Sequence, residues 1–269
     1  MRAHAVVEIE RENHRNGDTR MRINRLRSEG ALVLRPTREA LPTWADCWSI
    51  PAAEVVTVRT VAGAAGPLGG DHWRLDVSVG EGATLMLGAV AATLVLPGRH
   101  GTMSVSEVNV SVAAGGTLIW RPRAQIAAKD CRHISTTRID IAADARLFAR
   151  EEFLLGRHNE APGDFQQRLR VTQEGKPIYD QQLSVGPAFP GWRSAAVTGG
   201  RHALGSILIV DSADESMTPF TSAVAVDCPD TAILQISGQA TLISSLANDS
   251  VQLQNRLDRA FAPFGSRRP

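Results

Sequence analysis

Asp76-Val-Ser-Val-Gly-Glu-Gly-Ala-Thr-Leu-Met-Leu87 is echoed by Asn109-Val-Ser-Val-Ala-Ala-Gly-Gly-Thr-Leu-Ile-Trp120. A third, shortened copy reads Asp140-Ile-Ala-Ala-Asp-Ala-Arg-Leu-Phe-Ala149, and the three starts lie 33 and 31 residues apart. In each copy a run of alternating apolar and polar residues leads into a tight turn of small residues and out into a second such run. That is the pattern of strand, turn and strand. A unit of this size cannot bury its apolar side alone, so neighbouring copies must stack. The expectation is a mainly β chain with stacked, helicoid sheets, rather than a barrel or a doubly wound α/β fold. No segment from 50 to 185 has helical spacing.

Outward from the repeat, Ala145–Leu155 and Phe165–Gln173 read as strands. The stretch between them contains Gly156, Arg157, His158, Glu160, Pro162, Gly163 and Asp164. Glycine and proline end a strand and charge belongs in water, so composition alone describes a solvated hairpin connection. On the N-terminal side, residues 1–25 are polar and charged, and the β pattern is expected to begin at Leu26. Leu32-Val33-Leu34 and Glu54–Val61 are strand-like. Gly63–Gly70 packs four glycines and a proline into eight residues. It lacks the Lys-Ser/Thr of a phosphate loop and leads into a strand, so it fails as a nucleotide site. On the C-terminal side, Ile207–Val210, Ala232–Ile236 and Ala240–Leu246 are further apolar runs. Asn248 or Asp249 can cap a short helix with apolar positions Val251, Leu253, Leu257, Ala260 and Phe261. One domain is expected over 26–262, with 1–25 as a polar N-terminal segment and 263–269 as a disordered tail.

Composition excludes several classes. The net charge is +1 over 269 residues, which gives no field to recruit nucleic acid or an anionic membrane. Nine Arg against five acids in Met1–Arg38 is a modest local bias, and Lys129 and Lys176 are the only lysines. Cys47, Cys131 and Cys228 are odd in number and widely spaced, which fits neither a disulfide scaffold nor a structural zinc site. The charged N-terminus has no signal-peptide core. No run approaches the roughly 18 apolar residues of a membrane helix. These features describe a cytoplasmic protein.

The sequence offers little chemistry of the catalytic kind. It has no Gly-x-Ser-x-Gly elbow for a hydrolase. Its seven histidines are scattered singly, without His-x-His or His-x-x-x-His spacing. Of these, His72 and His158 are the candidate functional histidines. Glu151 and Glu152 sit side by side on a strand, face opposite sides, and are not expected to be buried together. Asp164 follows Gly163, and Asp130 lies in Ala127-Ala-Lys-Asp-Cys131.

Several stretches, taken in order, resemble the urease accessory protein family UreD, also called UreH. They are Leu26-Arg27-Ser28-Glu29-Gly30, Gly69-Gly70-Asp71, the turn at Gly82-Ala83, Ala91-Ala92-Thr93, and Leu118-Ile119-Trp120-Arg121-Pro122. Gly156-Arg157 with Gly163-Asp164-Phe165 resembles the family's Gly-Arg…Gly-Glu-Phe. The likeness runs to about Leu183 and returns in the C-terminal helix. Gly88-Ala89-Val90 with Leu94, Ile119 and Asp164 depart from the family pattern and mark a divergent member. The resemblance implies a non-enzymatic, helicoid β scaffold for urease maturation. Its implied partners are apo-urease and a UreF-like protein, with a UreG-like GTPase recruited through the latter. It implies no permanently bound cofactor, only nickel in transit along an internal route. On this reading Asp164, with Asp130, lines that route, while Gly156, Arg157, Gly163 and Phe165 serve loop architecture or the partner interface. The rival reading is a β-sandwich carbohydrate-binding module using Trp44, Trp48, Trp73 and Trp192 as stacking platforms. A hydrolase with an unrecognised site ranks third.

Overall fold

The structure is a computed structural model describing residues 1–13, 19–39, 50, 54–211, 230–237 and 239–265. Cys47, Cys228, Trp44, Trp48 and the tail from 266 onward lie outside the described residues.

The chain winds as a β-solenoid whose successive strands fall alternately into two facing sheets. The N-terminal part supplies β1 (Arg2–Asn13), β2 (Thr19–Arg27), β3 (Leu32–Thr37) and β4 (Val56–Ala62). The coils follow as β5 (His72–Val79), β6 (Thr84–Ala89), β7 (Thr93–Val95), β8 (Ser104–Val112), β9 (Thr117–Arg121), β10 (Gln125–Ala127), β11 (Arg132–Ile141), β12 (Arg146–Leu155) and β13 (Asp164–Gln173). The chain closes with β14 (Lys176–Val185), β15 (Ala203–Asp211), β16 (Thr231–Ser237), β17 (Ala240–Ala247) and α1 (Ser250–Gly265).

One sheet runs β14-β13-β11-β8-β5-β1-β2, and the other runs β16-β17-β15-β12-β9-β6-β4-β3 with β10 and β7 attached through β12. In the first sheet β1, β5, β8, β11 and β13 are parallel, as coil stacking demands, and hairpin strands β2 and β14 close its edges. In the second, β4, β6, β9 and β12 are parallel, with antiparallel strands on either side.

The repeat is the coil. Asp76 pairs with Asn109 and Val79 with Val112, so the first two copies stack in register. The third copy begins at Arg138, two residues before Asp140, because Asn109 pairs with Arg138 and Val112 with Ile141. A slip of two preserves which residues point inward, so alternation cannot distinguish the two registers. Between the sheets Val77, Val110, Ile139 and Val171 face Leu85, Leu118 and Leu147, all nearly solvent-free.

Three expectations need correction. The β pattern starts well before Leu26: Ala3, Ala5, Val7 and Ile9 on β1 are buried, while Glu8, Glu10 and its partner Arg22 lie on the other face. The stretch after β12 is no hairpin. It carries the chain from one sheet to the other, since β12 pairs with β9 and β15 while β13 pairs with β11 and β14. The helix runs on to Gly265, past the start of the expected tail, because Phe264 is buried and stacks on Phe261.

The outer face of the second sheet carries Met86, Ile119, Phe148, Ile207 and Ile243, and α1 covers them with Leu253, Leu257, Ala260 and Phe261. Val251, expected on this face, is 65% exposed. Asp249 caps the helix, its carboxylate accepting from the Gln252 N–H at 2.8 Å. Each leucine buried here contributes roughly 1.5–3 kcal/mol.

Candidate functional site

Between the main apolar core and a second apolar cluster that includes Phe153, Leu155 and Phe165, the interior holds a band of polar residues. On β11 the inward positions Ile141 and Ile139 are followed, toward the start of the strand, by Thr137, Ser135 and His133, all buried. Their neighbours in register include Ser104 on β8 and Gln167 and Phe165 on β13. Glu151 projects from β12 into the same space. Its Oε1 accepts from Thr137 Oγ1 at 3.0 Å and from Trp120 Nε1 at 3.5 Å, and its Oε2 accepts from Gln167 Nε2 at 2.5 Å. Gln125 Nε2 donates to Ser135 Oγ at 3.2 Å.

Two groups in this lane titrate far from their ordinary values. Burial pushes the Glu151 carboxyl up to about 7, against the pull of its bonds from Thr137, Trp120 and Gln167. Burial also drives His133 down to about 4, so its imidazole is neutral at pH 7. His133 Nδ1 lies 2.8 Å from Ser104 Oγ, and the ring stacks on Phe165 with centroids 5.6 Å apart. Its Nε2 is buried without a hydrogen-bond partner. With Nδ1–H donated to Ser104, Nε2 presents a bare lone pair to the interior.

Past His133 lies the corner formed by residues 127–131 and 156–164, where the residues singled out from sequence sit. Gly156 turns the chain at φ +87, and a Cβ there would meet the Glu160 carbonyl oxygen at 2.0 Å. Arg157 is exposed and forks onto Glu160, Nε to Oε2 at 2.8 Å and Nη2 to Oε1 at 2.6 Å. That fork, joined by bonds from the Arg157 and Lys129 amides, pulls Glu160 down to about 2. Gly163 lies against backbone: an added Cβ would stand 2.4 Å from both N and O of Cys131. Asp164 donates its N–H to the Cys131 carbonyl at 2.7 Å, and its carboxylate accepts from the Ala188 N–H at 2.7 Å. Asp130 is exposed on the turn before β11, at φ +61. Burial, and then the charges of Asp164, Glu160 and Asp130, push the Cys131 thiol up to about 12. With Asp130, Glu160 and Asp164 set against Lys129 and Arg157 the corner has one more acid than base, and its thiol is inert. On its outer side a cavity of about 490 Å³ opens between Gly156–Glu160, His202 and the start of α1.

The structure thus places Asp130 and Asp164 at one corner, with Arg157 paired to Glu160 and the two glycines packed against backbone. Among the described residues no three His, Cys, Asp or Glu side chains gather as a metal cage. His72 pairs with Glu107 on the surface and His158 contacts Asn159, so neither enters the lane. His133 and Glu151 do enter it, and nothing in the sequence around them marks them out. Glu151 and Glu152 are both buried, contrary to expectation. Their sheet is covered on both faces: Glu151 points between the sheets, while Glu152 bonds Arg150 at 2.6 Å and Gln254 of α1 at 3.2 Å. Trp73 is 7% exposed, and Trp192 lies under the Arg193 guanidinium, 4.8 Å from the ring centroid, so these two offer no open sugar platform.

Known proteins are similar to this chain along most of its length. The profile of the UreD urease accessory protein family matches residues 2–266. A urease accessory protein UreD from Frankia alni is 38% identical, the alignment covering 98% of this chain and 94% of the relative. A UreD from Streptomyces avermitilis is 36% identical over 89% of this chain and 90% of its own. UreD 1 of Saccharopolyspora erythraea is 30% identical over 97% and 94% respectively.

Proposed function

The chain belongs to the UreD urease accessory protein family, non-catalytic scaffolds of urease maturation, and from that premise we propose that it relays nickel to urease through its interior. In this reading the scaffold binds apo-urease and a UreF-like accessory protein. A UreG-like GTPase, docked through the latter, releases the ion, and the whole assembly works in the cytoplasm. The observation that carries the reading is the buried polar lane, which replaces valine and isoleucine with His133, Ser135, Thr137, Gln167 and Glu151. A buried polar atom without a hydrogen-bond partner costs stability, and the lane holds one in His133 Nε2, so it calls for a use.

The chemistry suits cargo in passage. Nickel accepts imidazole and carboxylate ligands, and a relay must release what it binds. Asp130 and Asp164, beside Glu160, make an acidic mouth that concentrates cations. Further in, His133 offers one nitrogen lone pair and Glu151 one carboxylate, each a single handhold rather than a cage. A carboxyl titrating near 7 can give up its proton to an arriving cation and recover it when the ion leaves. The remaining lining groups, Thr137, Gln167 and Ser135, are neutral and hold water or ion only weakly.

The scaffold role is tested by co-purification. The tagged chain is co-expressed with the urease subunits and the other accessory proteins of its own organism, and the product is resolved by size exclusion. Co-elution with apo-urease or the UreF-like protein is the expected result. A monomer that ignores both would refute the reading.

A further inference from the structure

On the outer face of the second sheet, across it from Glu151, four arginines meet. Arg59 on β4, Gly88 on β6 and Arg121 on β9 are register partners on successive parallel strands. Arg150 on β12 continues the row, one residue past the Ala149–Trp120 pair. Neighbouring strands lie about 4.8 Å apart, so the row stacks like charges across the sheet, an unfavourable arrangement unless something answers it. Gly88 makes the crowding possible: a Cβ there would fall 1.9 Å from Nη1 of Arg59 and 2.8 Å from the Arg121 carbonyl oxygen.

Two of the cations are answered within the chain. Arg59 forks onto Glu39, and Arg150 bonds Glu152 at 2.6 Å and Asp258 at 2.5 Å. The guanidinium groups of Arg121 and its neighbour Arg123 have neither a hydrogen bond nor an ion pair among the described residues. Burial, then the charges of Arg150, Arg123 and Arg59, hold Arg121 below the usual arginine range, with only Asp258 opposing them. These side chains line a cavity of about 270 Å³ beside α1.

We propose that this cavity is an oxyanion site, in which Arg121 and Arg123 take a phosphate or carboxylate group. A guanidinium fork matches either group with two parallel N–H···O bonds, and a partly desolvated one gains most from doing so. The four arginines face three carboxylates, which leaves one positive charge for the ligand to neutralise. The site is independent of the nickel lane, because its side chains point to the opposite face of the sheet.

The test uses the full chain, titrated calorimetrically with inorganic phosphate and, separately, with malonate, at an ionic strength fixed with KCl. Saturable one-site binding of at least one anion is expected, with a raised melting temperature. Phosphate alone would assign a phosphate-bearing ligand, malonate alone a carboxylate, and both a general oxyanion site. In Arg121→Gln/Arg123→Gln the affinity should fall at least tenfold. The anion-free melting temperature of that variant should not drop, since repulsion has been relieved. Should the double variant fail to fold, exposed Arg123→Gln alone must still weaken binding. Heats no larger than the KCl control, or equal affinity in the variants, would overturn the proposal.

Discussion

Glu151 is the residue on which the proposed nickel relay rests, and its protonation has a measurable consequence. An ordinary Glu titrates near 4.5, whereas burial raises this one to about 7. Between those values the folded chain holds a proton that the unfolded chain has released. Glu151 therefore makes stability fall as pH rises through that window, by roughly 3 kcal/mol in all, and the loss levels off above about pH 7. His133 works the other way. Its value near 4 means that the unfolded chain binds the extra proton between about pH 4 and 6.5, so its contribution to stability rises with pH. The difference between wild type and Glu151→Gln isolates the first effect. Urea midpoints measured from pH 5 to 8 should show the variant gaining on wild type as pH rises, with a flat difference contradicting the assignment. Neither residue stands out in the sequence. His133, Ser135 and Thr137 alternate as a solvent-facing strand would, and no local feature reveals that this polar side is the inner one. Glu151 and Glu152 look incompatible with joint burial because nothing near them shows that α1 covers the second face.

At the level of elements, the corner after β12 is legible in its boundaries but not in its path. Glycine, proline and charge mark where β12 ends and β13 begins. They cannot say that the connection changes sheets, since a hairpin and a solenoid corner end strands with the same residues. The close approach that defines the corner comes from Gly163, whose missing side chain lets residues 163–164 bond to Ala128 and Cys131. Gly163→Ala would push Cβ into the backbone, where no side chain can swing away. A loss of roughly 2–3 kcal/mol is expected from overpacking of this kind. Chemical denaturation at constant pH measures it, and a loss below about 0.5 kcal/mol would mean the corner is looser than described. Asp164 carries a second duty here, capping the Ala188 amide. Asp164→Asn preserves an accepting oxygen while removing the charge, and is therefore the cleaner probe of the acidic mouth than Asp164→Ala.

For the whole molecule, the repeat announces the architecture: stacked coils follow from strand–turn–strand units that recur and cannot stand alone. What closes the stack is less visible. β1 hides its apolar face behind alternating charges, Glu8, Glu10 and Glu12, and the helix gains its meaning only once β15 and β17 are beside β12. A solenoid of this form holds its coils in line, so inward residues at equivalent positions stack into lanes, and the polar one lies between two apolar clusters. The central claim is that nickel uses the polar lane. Its most direct measurement is the nickel content of urease matured in cells with wild-type, Glu151→Gln or Asp164→Asn scaffold, after the assembled complex has been isolated in each case. Both variants should assemble as wild type does, while nickel per urease active site falls severalfold, more for Glu151→Gln than for Asp164→Asn. Full nickel loading with Glu151→Gln in an intact complex would contradict passage through the interior.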